Sequence, residues 1–77
     1  MSVASSQSTE FVLSREHIEL CQLLKAVGLA ESGGAGKHLV AAGEVSVDGK
    51  AESRKTAKIR AGQSVTCQGV TILVKAP

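Results

Sequence analysis

Between His17 and Val27 the apolar residues recur at helical spacing. Leu20, Leu23, Leu24 and Val27 form one stripe, Cys21 flanks it, and Glu19, Gln22 and Lys25 fall on the other side. Ser14 offers an N-cap for this helix, Glu16 a carboxylate in its first turn, and Gly28 a stop. Leu29 and Ala30 lead to Ser32, which can cap a second helix running to about Ala42. The first turns of that helix hold Gly33, Gly34 and Gly36, each costing about 0.5–1 kcal/mol relative to Ala. Two explanations stand side by side: close approach of another backbone or a ligand, or tight packing against the first helix.

After Gly43 the period changes from 3.6 to two. Val45 and Val47 point to one face, and Asp48-Gly49 supplies residues that tolerate positive φ in a tight turn. Lys50 to Thr56 has no clean period and reads as an extended loop. Ala57 to Arg60 alternates, Ala61-Gly62 turns, Ser64 to Cys67 alternates again, and Gln68-Gly69 is a hairpin signal before Val70 to Val74. Phe11-Val12-Leu13 suits a short edge strand with Phe11 and Leu13 on the same side. The polar, aperiodic residues 1–10 read as a disordered tail, leaving 11–77 as the domain. The predicted fold is α+β: two N-terminal helices packed on a small, mainly antiparallel sheet of about four strands.

At 77 residues the core is small, with no room for a buried active site and its supporting residues, which favours a binding module. Trp and Tyr are absent and Phe11 is the single aromatic, so the core must be aliphatic. The chain is therefore expected to offer no stacking platform, and any nucleic acid to be gripped by backbone and shape rather than by splayed bases. Cys21 and Cys67 lie far apart without a Cys-x-x-Cys pair and read as small core residues. His17 and His38 lack zinc-finger spacing and have no partner carboxylate. Glu44, Asp48 and Glu52 do not make a catalytic carboxylate pair. No catalytic residue, metal or cofactor is therefore expected. Without a long apolar run or a secretory leader, the chain reads as cytoplasmic and not membrane-associated.

Net charge is only +2, but it is unevenly placed: residues 1–31 sum to −2 and residues 32–77 to +4. Lys50, Arg54, Lys55, Lys58 and Arg60 crowd positions 50–60 with only Glu52 to offset them, a local patch able to attract a polyanion. Ser32-Gly33-Gly34-Ala35-Gly36-Lys37-His38 superficially suggests a phosphate loop. A Walker motif would need glycine where Glu31 stands and Ser or Thr where His38 stands, so nucleotide hydrolysis is rejected. The amides of Gly33 and Gly34 at a helix start could still meet an RNA phosphate, with Lys37 adding charge.

The ordered set Leu20-x-x-Leu23-Leu24-Lys25, Gly28-Leu29-Ala30-Glu31-Ser32, Lys37, Val40, Gly43-x-Val45-x-Val47-Asp48-Gly49-Lys50 and Ile59-x-x-Gly62-Gln63-x-Val65 carries a likeness. Over residues 11–75 it resembles the alpha-L RNA-binding domain of small-subunit ribosomal protein four, and within that family the stand-alone bacterial YbcJ-like group. The resemblance implies binding of structured RNA, ribosomal or transfer, through the start of the second helix and the loop after the Gly-x-Val-x-Val strand. Carried onto this chain, those surfaces hold Ser32, Gly33, Lys37, Lys50, Arg54, Lys55 and Lys58. Two positions depart from the family pattern: Gly33 stands where many members have Arg, and Gly62-Gln63 where Gly-Asp is usual. The implied partners are structured RNA and, around it, the ribosome or its assembly factors. The chain is expected as a monomer, although an exposed first strand could pair with a second copy. The competing function is an adaptor domain docking on an acidic protein. A sulfur-carrier protein, which would show a Gly-Gly end, is not expected from Lys75-Ala76-Pro77.

Overall fold

A computed structural model describes residues 7–77. The elements run β1 (Gln7–Val12), β2 (Ile18–Glu19), α1 (Leu20–Ala26), α2 (Gly33–Ala41), β3 (Val45–Val47), β4 (Lys50–Ala51), β5 (Lys58–Ile59), β6 (Ser64–Cys67) and β7 (Val70–Lys75). One five-stranded sheet has the order β1-β7-β6-β3-β4, with β1 parallel to β7 and the other neighbours antiparallel. A separate two-stranded ladder joins β2 to β5.

The helices pack on each other and on one face of the larger sheet. Leu20, Leu23 and Leu24 of α1 and Val40 of α2 share one core with Val45, Ile59, Val65, Cys67, Ile72 and Val74 from the strands and with Leu13. Register explains this set: Val45 faces Cys67, and Val47, Val65 and Ile72 stand opposite one another, so one side of the sheet is aliphatic. The opposite side carries Ser46, Thr66 and Thr71 in mutual register and faces solvent. Both cysteines are buried free thiols, as the sequence indicated. Burial, helped by the nearby Glu44 charge, pushes the Cys67 thiol upward, which keeps it a protonated packing group.

Three expectations need correction. The helices are not N-terminal, because β1 and β2 precede them. Residues 7–10, read as tail, belong to β1, while the rest of that predicted tail lies outside the described residues. Gln7 to Glu10 offers no apolar stripe; what recruits it is a continuous parallel pairing with β7, from Gln7 opposite Val70 to Val12 opposite Lys75. Backbone hydrogen bonding at a sheet edge does not require an apolar side-chain pattern. Finally, α1 begins at Leu20, not near His17, and Ser14 is not its cap. Its N-cap Glu19 makes no capping side-chain hydrogen bond. The opening N–H groups of the helix go elsewhere: Leu20 donates to the Ala57 carbonyl at 2.9 Å and Cys21 to the Lys55 carbonyl at 3.2 Å. The α1 start therefore fastens the basic segment to the core.

Other local signals were read correctly. Ser32 caps α2, its Oγ accepting from the Ala35 N–H at 3.1 Å. Asp48 and Gly49 both have positive φ, +52° and +83°, the backbone of a two-residue turn between β3 and β4.

Candidate nucleic-acid interface

The segment from Glu52 to Ala57 bulges from the sheet and is held by its backbone. The Glu52 N–H donates to the Val45 carbonyl at 3.0 Å and the Ala57 N–H to the Arg54 carbonyl at 3.2 Å. Together with the two bonds from α1 and the β2–β5 ladder, these bonds fix the main chain and leave the long side chains in solvent. Lys37, in the second turn of α2, faces the same space. Lys37, Arg54, Lys55 and Lys58 line one open groove of about 740 Å³, with Ser53, Thr56 and Ala57 between them. No carboxylate lines it.

Of the seven residues singled out from sequence, the groove thus gathers four. Lys50 lies on edge strand β4, outside the lining. Ser32 and Gly33 also lie outside it, and the Ser32 hydroxyl is already occupied as a cap. Gly33 adjoins α1: a Cβ there would sit 3.1 Å from Gln22 Nε2. Ser53 and Thr56 were missed because small hydroxyl residues in a loop carry no periodic signal, though they can hydrogen-bond a phosphate once the cations around them are placed.

Arg54 is not a free cation. Its Nε lies 3.1 Å from Glu52 Oε2 and its Nη2 3.3 Å from Oε1, while Glu52 Oε2 also accepts the Arg54 N–H at 2.9 Å. Its side chain stays 79% exposed, so the guanidinium can exchange this carboxylate for a phosphate. The two ion pairs among the described residues involve neither Lys37 nor Lys55 nor Lys58.

Two carboxylates outside the groove lining, Asp48 and Glu52, are held by hydrogen bonds. The Ser64 N–H, at 2.9 Å, and the Gln63 amide, at 3.3 Å, hold Asp48 below the ordinary carboxylate range. The Arg54 guanidinium, followed by its backbone N–H, does the same for Glu52. A group with a depressed folded-state value adds stability that is present above its unfolded value, about 3.9 for Asp and 4.3 for Glu, and is lost as pH falls through the folded value. These two groups should leave stability flat between pH 7 and about 5 and lower it below about pH 4. Urea unfolding across that range should show the drop, and Asp48→Asn should weaken the protein at neutral pH while shrinking the acid loss. An unchanged acid profile in that variant would mean that the Asp48 hydrogen bonds do not contribute.

Metal chemistry has no support in this geometry: among the described residues no three His, Cys, Asp or Glu side chains group to hold an ion. Among them, too, no helix is long and apolar enough to cross a membrane.

Comparison with known proteins fits this geometry. The S4 domain family model matches residues 11–75. A protein of Escherichia coli strain K12 named "Putative RNA-binding protein YbcJ" is 50% identical over 60 residues, covering 78% of this chain and 86% of that protein. The Shigella flexneri protein named "Uncharacterized protein YbcJ" gives the same figures. The solution structure of YbcJ from E. coli, described as revealing an alfaL motif involved in RNA-binding, is similar over 99% of this chain and 98% of that one, with a TM-score of 0.70 and 44% identity.

Proposed function

Because this chain belongs to the S4 domain family, we propose that it binds structured RNA by its phosphates, in the groove between α2 and the 53–58 segment, and catalyses no reaction. The observation that carries this reading is the convergence of Lys37, on α2, with Arg54, Lys55 and Lys58, from the segment after β4, on one concave surface without a carboxylate. The names of the relatives agree with it.

The mode of recognition follows from the side chains on hand. No aromatic lines the groove, so bases have nothing there to stack on. Lysines on a fixed backbone read the spacing of phosphates, as suits the regular grooves of a folded ribosomal or transfer RNA. Ser53 and Thr56 add neutral donors between the charges. The cytoplasm, where such RNAs reside, is the expected setting.

Four phosphate contacts should give a log–log dependence of affinity on salt with a slope of about −3 to −4. Filter binding of a folded RNA hairpin at several ionic strengths measures this directly. A flat response would reject phosphate binding, and capture of an acidic protein in place of RNA would favour the adaptor reading.

A further inference from the structure

A second concavity, of about 450 Å³, lies between the β1–β2 connection and α1. That volume falls within the range of about 300–1,000 Å³ usual for small organic ligands. Phe11, Leu13 and Ile18 make its apolar part, and Arg15, Glu19 and Gln22 contribute charged and amide groups. It shares no lining residue with the phosphate groove. The only aromatic of the chain is therefore placed here, half-buried against the core and still lining a cavity.

The two concavities are neighbours. Glu19, on the rim of this one, is the Cα partner of Lys58 in the other. The Leu20 and Cys21 N–H groups, immediately after Glu19, hold the carbonyls of Ala57 and Lys55. On the other side, Gly33 leaves the Gln22 amide its position, since a Cβ there would come within 3.1 Å of Nε2. Glu19 also occupies the N-cap of α1 without using its carboxylate to cap. An acceptor that the helix does not employ thus stands at the mouth of an aromatic-lined cavity.

We propose that this pocket takes the base of one unpaired nucleotide, guanine in preference to the others, from the RNA whose phosphates lie in the adjacent groove. The inference rests on the phosphate reading above. Against the expectation of a grip by backbone and shape alone, the apolar part, with Phe11 in its lining, suits the flat face of a base, as in single-strand recognition generally. Arg15 can meet the phosphate of that nucleotide. Glu19 supplies two acceptor oxygens and no donor, which suits guanine because its N1–H and N2–H₂ lie side by side. Adenine and the pyrimidines do not present that pair of donors. A continuous duplex offers no free base, so the preferred RNA carries a bulge, loop or overhang beside its stem.

Hairpin RNAs with one stem sequence test this: one bulged guanosine, one bulged adenosine, one abasic residue at that site, and one fully paired stem. The guanosine bulge should bind about tenfold more tightly than the abasic or paired RNA, and Glu19→Gln should erase its advantage over adenosine while leaving the salt slope unchanged. Gln22→Ala, on an exposed position, should lower affinity for the guanosine bulge alone. Equal binding of all four RNAs with the slope intact would overturn the base pocket and leave the phosphate groove standing. Failure of all four to bind would overturn both. A guanosine advantage that survives Glu19→Gln would overturn the assignment of Glu19.

Discussion

The double variant Lys37→Glu, Lys55→Glu should lose RNA affinity by roughly 100-fold or more at moderate salt, with the slope of log affinity against log salt falling by about two units. Each lysine contributes the release of about one condensed counterion, and reversal adds repulsion to the lost attraction. Both side chains are exposed and take part in neither ion pair among the described residues, so the fold should tolerate the change. Lys58 is a poorer choice: glutamate there would stand opposite Glu19 in the β2–β5 ladder, and like charges in cross-strand register destabilise a sheet. The informative comparison with the single variant Lys37→Glu is Lys25→Glu, on the exposed side of α1, which changes net charge by the same two units but lies outside the groove. If long-range charge alone governed binding, Lys25→Glu would weaken it as much as Lys37→Glu. Only a local surface makes them differ. Equal losses would remove the groove from the account.

The residues that made the sequence legible are those whose local chemistry has one reading. Ser32 before a glycine-rich helix, Asp48-Gly49 and Gln68-Gly69 between alternating runs, and Gly28 after an apolar stripe each fixed a boundary that the structure reproduces. The alpha-L likeness rested on the spacing of those boundaries, and the family and structural matches bear it out. What escaped was non-local. Nothing in Gln7 to Glu10 signals that β7 will pair with it, and nothing in Leu20 or Cys21 signals that their N–H groups will bind a loop more than thirty positions later. The convergence of Lys37 with the 54–58 cations has the same character. The sequence places each charge on an element, and only the α1–α2 packing and the Ala57 and Lys55 carbonyls bring those elements together. The pairing of Arg54 was not legible either, because Glu52 counts in sequence as one charge against five cations. In space it is a bidentate acceptor.

Substituting alanine at Gly36 and at Gly34, two positions apart on one helix, should shift stability in opposite directions. At Gly36 a Cβ would lie 2.6 Å from the Cys21 carbonyl oxygen and 3.2 Å from its C and Cα atoms, all backbone. No rotamer relieves that overlap, so α1 and α2 must separate. Overpacking of this kind costs about 1–3 kcal/mol, occasionally more, and it outweighs the gain of up to about 1 kcal/mol from helix propensity. At Gly34 the nearest atom is Ser32 Oγ at 3.7 Å, an ordinary contact, and the position is exposed. There alanine should stabilise by about 0.4–1 kcal/mol, chiefly by restricting the unfolded chain. For a domain of this size, where about 1 kcal/mol moves Tm by 4–8 °C, thermal unfolding followed by circular dichroism resolves both signs. At Gly36 the two explanations for the glycine-rich turn coincide: the backbone that approaches closely is that of α1, on which α2 packs. Cys21 links that contact to the groove, since its carbonyl faces Gly36 while its N–H holds the Lys55 carbonyl. Gly36→Ala should therefore weaken RNA binding even below its lowered Tm, by displacing Lys55 from Lys37. A Gly36→Ala variant that melts higher than wild type would show that the helices are not in backbone contact, and the groove their packing creates would lose its physical basis.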